Sequence, residues 1–245
     1  MNRTIATLAV GLVAVLALGA ASQESVQLVR KTKVGDVYRL QTVGKAQVDM
    51  GGMQTEMDLK GVEKYSVTAI APNGDITETD QTESVEISMG GQTMPPDPDM
   101  LETSTIVSKP NGMLVSYTKQ DGSADESEGR MYNATTVMFP DAPVKVGDKW
   151  SKTFAANPAL GTHTARADYE VLGFETVAGT ATVKIALMFQ ESVAPAIKTK
   201  GTFWIERSTG DVVKVEGTVE GFPLDDNGGV TATMTITQTR LPKGQ

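Results

Sequence analysis

The chain has 245 residues, no cysteine, a single histidine and a formal net charge of −8. Disulfides, thiolate metal sites and cysteine nucleophiles are therefore excluded, and the acidity argues against nucleic acid, whose phosphates call for a basic footprint. Residues 1–22 read as an export signal: Arg3 supplies the charged start, Ile5–Leu18 the apolar stretch, and Gly19-Ala20-Ala21-Ser22 the small residues for cleavage. That stretch falls short of the roughly 20 apolar residues a membrane span needs, and no other segment approaches it. The expectation is an exported protein, periplasmic or extracellular, with no transmembrane segment in the mature chain and no lipid-modified N-terminal cysteine.

The first structural signal is Lys33-Val34-Gly35-Asp36-Val37-Tyr38. Gly accepts positive φ and Asp can hydrogen-bond the backbone just ahead of it, so Gly-Asp turns the chain. The aromatic two residues later anchors a new strand in the core. From there Tyr38, Leu40, Thr42, Ala46, Val48 and Met50 alternate with Arg39, Gln41, Lys45, Gln47 and Asp49, the period-2 pattern of a half-buried strand. Gly51-Gly52 makes a hairpin turn, and the return strand sets Met53, Met57, Leu59, Tyr65 and Val67 on one face. Asn73-Gly74 turns into a third strand, whose end alternates Val85, Ile87 and Met89 with Ser84, Glu86 and Ser88. Gly90-Gly91 turns again, residues 92–102 form a loop, and 103–108 pairs with 113–118 through Pro110-Asn111-Gly112. Residues 119–130 are acidic and poor in apolar side chains, so a mobile segment is predicted there; a short helix near 123–133 is the alternative, unsupported by periodicity.

Lys145-Val146-Gly147-Asp148-Lys149-Trp150 then repeats the opening hexapeptide. Further alternating segments follow, the cleanest being Val230, Ala232, Met234 and Ile236 against Thr231, Thr233, Thr235 and Thr237. The predicted fold is all-β: two similar halves, 23–139 and 140–245, of long antiparallel strands forming a curved sandwich or open half-barrel. An outer-membrane barrel would need aromatic girdles, and aromatics are only 5% of the chain.

The catalytic inventory is poor. His163 sits at the start of a predicted strand with no Gly-x-Ser-x-Gly elbow anywhere, and one histidine cannot build a zinc site. No enzyme, cofactor or metal is predicted. Asp75, Glu78, Asp80, Glu83 and Glu86 crowd one strand and read as its solvated face; Asp225-Asp226-Asn227-Gly228 reads as a turn. Methionine is the unusual feature, with twelve in the chain, and Met50, Met53, Met57, Met89 and Met94 gather at two hairpin tips. Thioethers suit Cu(I), but flexible methionines also fill core gaps or line an adaptable apolar groove.

The Met50-Gly51-Gly52 and Met89-Gly90-Gly91 hairpins, Pro110-Asn-Gly-Met-Leu-Val115 and Pro140-Asp-Ala-Pro-Val-Lys-Val-Gly-Asp-Lys-Trp150 resemble a family of exported bacterial β proteins of unknown function. The resemblance covers most of the mature chain and implies the same two-half organisation, with no catalytic residue. A looser similarity is to envelope proteins whose curved sheet carries acyl chains. The expected function is non-enzymatic binding in the cell envelope, with the five methionines lining a face for an apolar small molecule or an envelope-protein segment. A structural module with a filled interior and a methionine-based Cu(I) protein are the alternatives.

Overall fold

The computed structural model describes residues 24–49, 54–96, 101–124, 126–224 and 230–242. The predicted export signal, the predicted Gly51-Gly52 turn and the predicted turn at Asp225–Gly228 lie outside them. Twelve strands and one α-helix follow in chain order: β1 (Val37–Asp49), β2 (Gln54–Ile70), β3 (Ile76–Met89), β4 (Gln92–Met94), β5 (Thr103–Ser108), β6 (Leu114–Thr118), α1 (Glu126–Thr135), β7 (Lys149–Phe154), β8 (Ala165–Val177), β9 (Thr180–Glu191), β10 (Lys198–Glu206), β11 (Val212–Pro223) and β12 (Thr231–Arg240). All the strands belong to one antiparallel sheet, ordered β6-β5-β3-β2-β1-β12-β11-β10-β9-β8-β7, with β4 added beside β3. The sheet does not close, since β6 and β7 are its two edges. Of the two predicted architectures the open half-barrel is the one present. No described helix is long and apolar enough to cross a membrane.

The repeated hexapeptides fold alike. Gly35 and Gly147 sit at φ +91° and +87°, where a side chain would be strained. The Asp36 carboxylate accepts from the Lys33 amide at 2.7 Å, and Asp148 accepts from Lys145 at 2.9 Å. Each turn then docks on the next strand: the Gly35 amide donates to the Val67 carbonyl and Gly147 to Val171. Tyr38 stacks on Tyr65 with ring centroids 4.9 Å apart, and Trp150 on Tyr169 at 5.1 Å.

Alternation places one row of every strand on the inner face. Four glycines lie in that row: Gly201 faces Gly217, Gly217 faces Ile236, Ile236 faces Gly44, and Gly61 faces Thr42. A Cβ on Gly217 would come within 3.1 Å of the Gly201 Cα, so the backbones close up there and the sheet bends.

The inner face is filled over one region. Tyr169, Val171, Ile185, Leu187, Phe203 and Val219 form its floor, and Leu28, Ala134, Val137, Met138, Phe139 and Val144 lie over them in one buried cluster. Each Val, Leu, Ile, Phe or Met among them contributes roughly 1.5–3 kcal/mol on burial. Helix α1 is a departure from the mobile segment predicted for 119–130. Its apolar content is low, but Ala134 is fully buried and Met131 and Tyr132 pack on the cluster. Arg130 fixes the other side, bonding Glu191 through Nη2 at 2.6 Å and Nε at 3.1 Å.

Residues 24–31 cross the inner face as a strap. Val26 pairs with Val144, and the Arg30 and Lys31 amides donate to Pro110 and Thr209 carbonyls. The Arg30 guanidinium grips Glu78 with two bonds, 2.6 and 2.7 Å, and reaches Asp211 at 3.8 Å. Burial opposes its charge, yet the Glu78 bonds raise its pKa above the ordinary value overall.

Candidate functional site

Of the five predicted methionines, Met57, Met89 and Met94 are brought to one place. Met57 faces Met89 across β2 and β3, and Met94 faces Ile87 across β3 and β4. All three therefore sit on the inner face. Met57 is half-buried and packs on a small cluster of Ala46, Val48 and Ala232, while Met94 is 43% exposed. Met50 and Met53 lie outside the described residues. His163 lies just before β8, away from this strip.

Along β2 and β3 the strip continues through Leu59 and Ile87, which face each other, to Val85 opposite Gly61. Leu59, Val85 and Met89 are only half-buried, and no described element packs across them as α1 does farther along the sheet. The strip then ends abruptly in acid. Glu63 is the next inward position of β2 after Gly61, and Asp80 faces Tyr65 one position farther. The Tyr65 hydroxyl donates to Glu63 at 3.0 Å, and the Tyr117 hydroxyl donates to Asp80 at 3.2 Å. The second Asp80 oxygen, Oδ1, is buried with no hydrogen-bond partner.

Burial pushes the Asp80 carboxyl up to about 8, with the neighbouring Glu63 and the Glu128 carboxylate of α1 adding to it. Burial also raises Glu63, which the Tyr65 bond partly offsets. Near neutral pH the Glu63–Asp80 pair therefore holds a proton. Tyr65 and Tyr117 are raised as well, first by burial and then by these acids, so both hydroxyls remain donors.

The predicted solvated face of β3 needs correction. Glu83 and Glu86 are exposed, and Glu83 bonds Arg39 at 2.7 Å on the outer side, but Glu78 is only 3% exposed and Asp80 turns inward. The cause is a bulge. The β2–β3 register slips between Val62 and Glu63, so even positions of β3 point inward before it and odd positions after it. Asp80 could not be placed by one alternation run through the whole strand. Glu63 carried a usable signal, since it shares its parity with Met57, Leu59 and Tyr65.

The surroundings of the other stacked pair supply a control. Tyr169 faces Leu187 where Tyr65 faces Asp80, and Ala167 precedes Tyr169 by two positions where Glu63 precedes Tyr65. Val171 faces Ile185 where Val67 faces Glu78. Three apolar residues thus occupy the places held by three acids, at matching register. The strand geometry does not demand carboxylates there.

Among the described residues, no group of three or more His, Asp or Glu is placed to hold a metal ion. No family model matches the chain. No curated protein matches it either. Among solved structures it is similar to the hypothetical lipoprotein YmcC from Escherichia coli, at 14% identity and TM-score 0.31, covering 80% of this chain and 85% of that one. A protein with YmcC-like fold from Bacteroides fragilis gives 13% and 0.30, covering 86% and 97%. A DUF1329 family protein from Desulfovibrio piger gives 9% and 0.22, covering 84% and 87%. Likeness at these scores carries no argument about chemistry, and the site stands on its own geometry.

Proposed function

We propose that this is an exported, non-enzymatic envelope protein that binds an apolar ligand on the inner face of β2, β3 and β4. The observation that carries the reading is the uneven filling of one continuous face. Over β8–β11 the inward row is sealed by α1 and residues 137–144, whereas Leu59, Val85, Met57, Met89 and Met94 keep solvent contact on the same side of the same sheet. Adjacent half-exposed apolar side chains on a concave surface are what a ligand-binding face offers. Methionine, unbranched and polarisable, adapts to variable shapes. Export is carried by the charged start and apolar stretch of residues 1–22.

The test uses the mature chain and the uncharged probe N-phenyl-1-naphthylamine, followed by fluorescence, together with native mass spectrometry of protein purified from its own host. Enhanced emission that is lost in Leu59→Lys supports the reading. No emission change, with no co-purified mass, overturns it.

A further inference from the structure

The strip's polar end identifies what kind of apolar ligand it takes. The acids of the first half fall into two classes. Glu78 is answered by the Arg30 guanidinium, and its burial is a closed structural contact. Glu63 and Asp80 have no such answer: each accepts a hydrogen bond from a tyrosine hydroxyl, and neither forms an ion pair with a cation among the described residues. Fold geometry does not account for them, because Ala167 and Leu187 stand at the matching register beside Tyr169. Desolvating two carboxyls without a counter-charge is costly.

We propose that Glu63 and Asp80 receive the ammonium head of a single-chain amphiphile whose alkyl chain lies over Leu59, Met57, Ile87 and Met89. The inference rests on the binding face proposed above and adds the class of its ligand. Charge complementarity selects the head. A primary ammonium supplies three donors, and Asp80 Oδ1 is a buried acceptor with no partner, beside the Glu63 carboxyl. The strip selects the tail. From Glu63 to Met57 the strand spans about 20 Å at roughly 3.3 Å per residue, comparable with the roughly 15 Å that one lipid leaflet contributes to a bilayer core. Two adjacent strands flank it, a width suited to one chain. The neighbouring groups are Tyr65 on β2, Tyr117 on β6 and Glu128 on α1; none of them is a cation, and Arg30 is committed to Glu78. Because the pair carries a proton near neutrality, seating a cation displaces it, and binding releases about one proton.

Isothermal titration of the mature chain at pH 7 with dodecylammonium, dodecyl maltoside and dodecyl sulfate, each below its micelle concentration, tests this. The expected result is dodecylammonium binding about tenfold tighter than the uncharged maltoside, a difference of one charge-assisted hydrogen bond. Proton release should appear as a heat that changes between buffers of different ionisation enthalpy. In the Glu63→Gln, Asp80→Asn double variant the preference and the proton release should vanish while maltoside binding persists. Equal affinity for all three heads overturns the head-group assignment and leaves the apolar face standing. Binding of none of them overturns the apolar face itself. Preference for the sulfate overturns the assignment, and so does a chainless cationic peptide that competes as well as dodecylammonium, which would make the occupant a protein. Should the double variant fail to fold, the head-group series and proton release on the unaltered chain still decide.

Discussion

Two stacked aromatic pairs open two sets of strands in this sheet, and their neighbourhoods differ. Around Trp150 and Tyr169 the strand neighbours are apolar, Leu187 facing the tyrosine with Ala167 and Val171 flanking it, and the polar atoms of both rings are met by backbone of the sealing segment: the indole donates to the Met138 carbonyl at 2.8 Å and the Met138 amide donates to the Tyr169 hydroxyl at 3.3 Å. Around Tyr38 and Tyr65 the same places hold Asp80, Glu63 and Val67, and the Tyr38 hydroxyl turns to Glu78 at 3.3 Å. One register thus supports both a dry core and a polar cluster. The difference teaches that the backbone fixes where side chains meet but not their polarity, so polarity that the backbone does not require calls for another cause. For Glu78 that cause is Arg30. For Glu63 and Asp80 the proposed cause is the ammonium head of a bound amphiphile.

Breaking the Arg30 contact should have the largest effect. Arg30→Ala strands Glu78 at 3% exposure without its counter-ion, and removal of one partner of a buried pair costs about 3–5 kcal/mol. Urea unfolding should show that loss, and Arg30→Met with Glu78→Ile, which copies Ile185, should recover most of it. Next come matched truncations on the two regions. Leu187→Ala, at 1% exposure, should cost about 2–5 kcal/mol, whereas Leu59→Ala on the open strip should cost much less. Equal losses would mean that the strip is as well packed as the filled region.

Gly217→Val probes the bend both regions share. The added side chain meets the Lys200 carbonyl oxygen at 3.0 Å and the Gly201 Cα at 3.1 Å, and overpacking of this kind costs about 1–3 kcal/mol, measurable by thermal unfolding. The pH dependence of the polar cluster tests the comparison by a separate route. Asp80 is raised from 3.8 to about 8, so the folded protein keeps a proton that the unfolded chain gives up. Its contribution is complete below about pH 4 and declines as pH rises toward about 8. Asp80→Asn should flatten that decline in a series of melting curves, and Asp80→Leu, the counterpart of Leu187, should flatten it too.

The strands were legible in the sequence because water on one side of a sheet enforces period-2 alternation. The turns at Gly35-Asp36 and Gly147-Asp148 were legible because so few residues tolerate that backbone. What was hidden depends on long-range contacts. Helix α1 owes its place to Ala134, Tyr132 and the Arg130–Glu191 pair, a partner 61 residues away that no local periodicity records. The inward turn of Asp80 follows from one unpaired residue near Glu83, which reverses the parity of the rest of β3. The methionine strip was visible as composition, but its acidic end was not, since Glu63, Asp80 and Tyr117 come from three strands that only the register brings together.

Strand β12 lies in the middle of the sheet, hydrogen-bonded to β11 on one side and to β1 on the other. The Gln238 amide reaches Thr42 across 196 residues of chain. Among the described residues the β1–β12 seam is the only strand pairing that links β1–β6 to β7–β12, so the sheet cannot become continuous until nearly the whole polypeptide is available. Contacts so distant in sequence form slowly. A polypeptide built this way can join its two sets of strands only once its far end is free to fold.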